Sequence, residues 1–279
     1  MAISGTNSTT LDDLFVNIVA QARFTAEEQS LMLGLVTQYN IAGQAGKTVQ
    51  IPKYPAVTAA ALDEGTAPAD TDVSTSSVTV TCSEVGNSVL LTDLAAMGAG
   101  NPADELGTVL GNAIATKIDS DLIALFSGFS GALGAAGSEI TVADLFKAAA
   151  TLRANKVTGS MAAVVHPFQA YALKANLTNT MVNPNGGELQ NEAMRSGYVG
   201  TIAGIDVYES ANVAVDGDDD AVAAVFAPEA LAIALKSEFN LETQRNATRR
   251  GTELVATAVY GVAELDDSYG VKITADAAL

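Results

Sequence analysis

One stretch cannot build a core of its own. Residues 54–80 read YPAVTAAALDEGTAPADTDVSTSSVTV. To the left, KTVQIPKYP alternates, with Val49 and Ile51 on one side and Thr48, Gln50 and Lys53 mostly on the other. To the right, SSVTVTCSEV alternates through Val78, Val80 and Cys82. Both flanks read as half-buried strands. The residues between them are mostly Ala, Thr, Asp, Gly and Pro, too small and polar to form a core. Roughly twenty such residues inside a compact domain are uncommon, and are usually functional or disordered. The alternative is that their partner surface belongs to another molecule.

The rest of the chain is globular in character. Its 279 residues suffice for one large domain or two modest ones, and 48% are apolar, supplied by Ala, Val and Leu with little aromatic content. The net charge of −18 argues against a dedicated nucleic-acid binder, which needs a Lys/Arg footprint. A charged fraction of only 16% also argues against a halophilic surface, since the imbalance comes from missing Lys and Arg. Like charge favours solubility and restrains premature association. Cys82, the single cysteine, reads as a small buried hydrophobe and excludes an internal disulfide, as expected of a reducing cytoplasm. The N-terminal MAISGTNSTTLDD has neither a basic nor an apolar region of a secretory signal, and no apolar run approaches the roughly 20 residues of a membrane span.

Along the chain, Leu11, Leu14, Phe15, Ile18 and Val19 predict one helix, capped by Thr10. Thr25 to Glu28 form a capping box that predicts a second, ending near Asn40 or Gly43. Asn101 and Pro102 then open the longest periodic run, with Leu106, Leu110, Ala113, Ile114, Ile118, Leu122 and Phe126 on one face. Such a helix, near 40 Å at about 1.5 Å per residue, is a spine for the fold or a bridge between its parts. SGFSGALGAAGS (127–138) reads as a flexible connector at a domain boundary. Beyond it come a helix capped by Thr141, a buried strand at 161–165, and a helix opened by His166–Pro167. Strands follow at TIAGIDVYES and AVAAVFA, then NLETQRNATR, ELVATAVYGVAEL and YGVKITAD.

Catalytic chemistry is hard to find. IAGQAGKT (41–48) ends like a phosphate-binding loop, but Ile41 stands where its first glycine belongs and a strand follows where a helix should. The glycines of 131–137 lack dinucleotide spacing, and GFSG (128–131) lacks that of a nucleophile elbow. His166 is the only histidine and reads as a cap, so no metal pair exists. DGDDD (216–220) lacks calcium-loop spacing and reads as a solvated turn. Neither a cofactor nor a metal is expected. Positive charge concentrates once, at QRNATRRG, where Arg245, Arg249 and Arg250 lie between two long strands. This is a hairpin tip, or an ion-pairing patch for an acidic neighbour carrying Leu62, Asp63, Glu64, Asp70 and Asp72.

These parts, in order, resemble a known family. Two N-terminal helices, GKTVQIPKY, the ALDEG excursion, VLLTD before a long helix, VVHPFQAYAL, GYVGTIAGIDVYES and VYGVAELD are similar to the Hong Kong 97-type major capsid proteins of tailed bacteriophages. The resemblance runs from about residue 11 to 275. It implies an α+β fold in five parts. These are an N-terminal arm (1–46), an extended loop with a β-hairpin (47–92), a peripheral domain with its spine helix at 101–126 (93–138), an axial α/β domain (139–235), and strands returning to the peripheral domain (236–279).

The resemblance also implies a structural subunit, not an enzyme, that assembles as pentamers and hexamers into an icosahedral virion capsid around double-stranded DNA. Assembly would occur in the host cytoplasm. Expected partners are copies of the chain, a separate scaffolding protein, a portal protein and packaged DNA in nonspecific contact, with decoration proteins an open question and no membrane. Some relatives cross-link a loop lysine to an asparagine. Here Asn246 is available, but no lysine lies between Lys53 and Lys117, so that linkage is not expected. An encapsulin-type compartment shell shares the fold and stays open as an alternative. So does an acidic secreted or surface-array β protein, although that reading calls for a signal segment.

Overall fold

A computed structural model describes residues 30–94, 102–180 and 200–278, except 56, 60, 62–64, 66, 68, 69 and 71. The first expected helix and the start of the second lie outside these residues.

The tightest local signals fall in the second half. Strands β5 (Ala132–Gly134), β6 (Met161–Val165), β7 (Gly200–Ile202), β8 (Ile205–Glu209), β9 (Asp220–Phe226) and β12 (Gly270–Asp276) form a mixed sheet in the order β5-β12-β9-β6-β8-β7. Both faces are covered, so MAAVV is buried throughout. Side chains still alternate: Ala163, Val165 and Val225 join the core under helices α2 (Val142–Ala154) and α3 (Pro167–Thr180), while Val164, Ala224 and Phe226 face the other way. Thr141 and Asp144 close the capping box of α2. TIAGIDVYES is a hairpin, not one strand, because Ala203 (φ 57°) and Gly204 (φ 81°) turn the chain between β7 and β8.

The second layer is the sheet β1-β10-β11-β4, built from β1 (Thr37–Asn40), β4 (Ser83–Thr92), β10 (Leu231–Asn246) and β11 (Gly251–Glu264). Helix α1 (Pro102–Ala124) lies across it. Leu110 meets Leu254 and Ala256; Ile114, Ile118 and Leu122 share a core with Ala258, Tyr260 and the second face of the mixed sheet. At about 1.5 Å per residue this helix runs some 35 Å, so it serves both cores. A separate two-stranded hairpin joins β2 (Thr48–Lys53) to β3 (Ser76–Thr81).

Two expectations need correction. The second helix does not reach Asn40: Met32–Gly34 form one 3-10 turn, and Thr37–Asn40 run parallel to β10 with Thr37 opposite Ala232. Met32 and Val36 are the apolar residues buried in this stretch, and from Thr37 onward β10 supplies the backbone bonds that a helix would have made internally. Nor is 127–138 a free connector. Phe129 is fully buried beside Phe126, their ring centroids 6.4 Å apart, and β5 pairs with β12 from Ala132↔Lys272 onward.

Candidate assembly surfaces

The β2–β3 hairpin grows out of the core at one end only. Val80 and Cys82 are buried with Ile41 and Ala234, and a Cβ at Gly261 would sit 2.5 Å from the Thr81 carbonyl oxygen, so β3 approaches β11 where only glycine fits. At the other end Lys53 pairs with Asp266 at 2.7 Å. From Tyr54 to Thr75 every described residue is exposed, including Tyr54 (69%), Val57 (56%) and Val73 (48%). Asp70 and Asp72 are exposed in this stretch, while Leu62, Asp63 and Glu64 lie outside the described residues.

The β10–β11 tip is built differently. The Arg245 guanidinium donates two parallel bonds to Asp93, at 2.6 and 2.7 Å. That hydrogen bonding holds the Asp93 carboxyl below the usual range. Asp93 also donates its amide to the Arg250 carbonyl (2.9 Å), and the Asn246 side-chain oxygen accepts from the Thr248 hydroxyl (2.7 Å) and the Arg249 amide (3.2 Å). Arg250 takes a left-handed φ of 47°. The turn is therefore held from both sides, presenting Arg249 and Arg250 to solvent. Of the three sequence-predicted arginines, Arg245 is committed to its own chain. Asp93 was invisible as its partner because 152 residues separate them.

The remaining polar candidates support structure. His166 caps α3, its Nδ1 accepting from the Phe168 amide at 3.3 Å, and burial lowers its pKa. Asp216 accepts from the amides of Asp218 and Asp220, while buried Asp220 accepts from Gly137, so the acidic run is a fastened turn. Burial pushes the Cys82 thiol up, away from reactivity. Among the described residues no cluster of three or more His, Cys, Asp or Glu could hold a metal, and no helix is long and apolar enough to cross a membrane. Sequence reading passed over Gln169, which, like Asp119 of α1, is a buried polar residue that ties distant segments together.

Two layered cores thus carry an exposed hairpin and a fixed basic tip. Among solved structures, the capsid of cyanophage P-SCSP1u has a similar fold, with TM-score 0.72, 18% identity, and 88% of each chain covered. A chain from Mycobacterium phage Che8 matches with TM-score 0.69 and 20% identity, over 88% of this chain and 91% of that one. An encapsulin complex from Synechococcus elongatus matches with TM-score 0.66 and 12% identity, over 90% and 89%. No curated protein sequence matches. Residues 75–273, most of the chain, fit the family model described as phage capsid protein, and the chain belongs to that family. It is a structural component of a phage capsid and not an enzyme.

Proposed function

We propose that the chain is the Hong Kong 97-type major capsid subunit, self-assembling through pentamers and hexamers into an icosahedral shell around double-stranded DNA. The carrying observation is the 54–75 excursion, whose described residues are all exposed although Tyr54, Val57 and Val73 are apolar. Such a segment gains its burial from a neighbouring subunit. In this reading 1–46 is the arm, 47–92 the extended loop, 93–138 with 236–279 the peripheral domain, and 139–235 the axial domain. Arg249 and Arg250 meet acidic residues of a neighbour, with Asp70 and Asp72 as candidate partners. Scaffolding and portal proteins act during assembly in the host cytoplasm, and contact with packaged DNA is nonspecific.

The test is electron microscopy and light scattering of purified protein, alone and with its scaffolding partner. Closed shells, or rings of five and six, are expected. A monomer under every condition overturns the proposal. Replacing Arg249 and Arg250 by Glu is expected to weaken assembly while leaving the subunit's circular dichroism unchanged. Unaltered assembly would remove the tip from the contact.

A further inference from the structure

The long strand β10 loses its neighbour on one side partway along. β1 pairs with it only from Thr37↔Ala232 to Asn40↔Leu235. The Ile41 amide still reaches the Leu235 carbonyl (2.9 Å), and the chain then turns away through Gly43 (φ 79°) and Gly46 (φ 97°) into β2. The Lys236 ammonium holds that turn by donating to the carbonyls of Gln44 and Gly46. Where β1 stops, an open cavity of about 300 Å³ is lined by Asn40, Ala42, Leu235, Lys236 and Ser237. Past the register shifts at Leu235/Ser237 and Ser237/Asn240, residues 240–246 run in regular register, and among the described strands they pair with β11 alone.

The direction of the free backbone groups follows from the tip. The Arg250 carbonyl accepts from the Asp93 amide and so faces β4; across the same trans peptide, the Gly251 amide faces β10. Gly251 stands opposite Asn246, so Asn246, Gln244, Glu242 and Asn240 turn their backbone groups to β11, while Leu241, Thr243 and Arg245 turn theirs outward. Residues 242–245 are exposed. Proline, lysine and bulges, the usual guards of a strand edge, are all missing from 240–246.

We propose that this edge takes a strand from a second copy of the chain, residues 72–75 ahead of β3, which adds to the β4-β11-β10 side of the sheet. The inference rests on the capsid function above and gives its intersubunit contact a backbone component. The page favours this occupant in three ways. Residues 72–75 are exposed and lie outside the β2–β3 pairing, which ends at Lys53↔Ser76, and their β-branched Val73 and Thr75 suit a strand. Within one chain both 72–75 and 242–245 are exposed, so they meet only between copies. Charge agrees: from Tyr54 to Thr75 the sequence carries Asp63, Glu64, Asp70 and Asp72 with no Lys or Arg, whereas the edge ends beside exposed Arg249 and Arg250. Main-chain bonds then supply affinity, and the charges supply register.

Hydrogen–deuterium exchange of the full chain tests this, comparing the dispersed subunit with the assembled shell. The amides of Leu241, Thr243 and Arg245, and those of 72–75, should exchange about tenfold more slowly or more in the shell, the factor that one added hydrogen bond implies. Thr243→Pro deletes one outward amide and leaves the β11 bonds in place, so it should keep the subunit's circular dichroism and raise the concentration needed for shells about tenfold. Thr243→Ala, which removes only the side chain, should assemble like the wild type. Shells without slowed exchange at 241, 243 and 245 overturn the strand addition while the capsid function stands, as does equal assembly of the two variants. Slowing on β10 with 72–75 still fast gives the edge to another occupant and also overturns it. Should Thr243→Pro fail to fold, the exchange comparison on the wild type decides. A wild-type chain that never assembles overturns the function and the contact together.

Discussion

Replacing Gln169 by Leu is the sharpest test of how the mixed sheet is tied to α3. Gln169 is fully buried, and its amide nitrogen donates to the carbonyls of Ala221 in β9 and Ala275 in β12, each at 2.9 Å. Its oxygen accepts from the His166 amide at 3.2 Å, just before α3 begins. One side chain thus joins two strands to a helix start. Leucine has nearly the same volume, so cavity formation contributes little and the loss isolates the polar part. Three neutral hydrogen bonds at about 1 kcal/mol each give a cost of roughly 3 kcal/mol, a large share of a domain's stability of about 5–15 kcal/mol. In urea unfolding followed by circular dichroism, an m-value of about 1–3 kcal/mol per molar moves the midpoint down by about 1 M or more. Gln169→Glu should be worse at neutral pH, since its carboxylate would face two carbonyl oxygens, and should recover in acid as the raised pKa brings protonation. A Gln169→Leu variant within about 0.5 kcal/mol of wild type would refute the reasoning, because the three groups would then have found other partners.

Three further outcomes follow from single residues. Gly134 has φ +75°, and an added Cβ would lie 2.2 Å from the Thr274 carbonyl oxygen, so Gly134→Ala should cost more than the ~1 kcal/mol of left-handed strain and detach β5, seen as faster amide exchange at 132–134. His166 has its pKa lowered by burial, so the stability of its neutral cap is present above the unfolded pKa and lost as pH falls through the folded one; an NMR titration should find it below the usual histidine range, and His166→Asn should flatten that part of the acid-unfolding profile. Glu264 has its pKa raised by burial and then by Asp267 and Asp266, so its contribution is present at low pH and lost as pH rises through the folded pKa; Glu264→Gln should stabilise the neutral protein in thermal melts, and a lowered midpoint would contradict the assignment.

What the sequence made legible was whatever rests on local chemistry. Thr141 with Asp144, His166 with Pro167, and the four-residue spacing from Leu110 to Leu122 each announce a helix through bonds and contacts made within it. The alternation of β11 survives because one face alone meets α1. Misreadings arose where a distant strand decides. Thr37–Asn40 became β1 because β10 was there to pair with it, and the Gly/Ser/Ala stretch after α1 was fixed by β12 and by the Phe126–Phe129–Phe226 ring cluster. The candidate site divides in the same way. The tip arginines stood out by composition, but Arg245's partner Asp93 lies at the end of β4, brought there by the pairing of Thr92 with Gly251. No local pattern encodes that meeting.

The same ion pairs bear on what holds subunits together. Lys53, Lys117, Lys147, Lys174 and Arg245 are each matched to a carboxylate of their own chain. In a chain with 14 basic and 32 acidic residues, five of the basic ones are thus engaged internally among the described residues. Two approaching subunits of charge −18 repel, and in the proposed contact the attraction rests on the exposed Arg249 and Arg250 of one tip. On the proposed reading, burial of the apolar residues on the 54–75 excursion supplies most of the drive, since that term does not depend on charge. Salt separates the two contributions, because the screening length falls from about 8 Å at 0.15 M to about 3 Å at 1 M. If repulsion dominates, added sodium chloride should speed assembly, as read by light scattering. If tip-to-neighbour ion pairs dominate, the same salt should slow it. The charge distribution predicts the first result, and in Val57→Ser with Val73→Ser the acceleration should persist while its final extent falls.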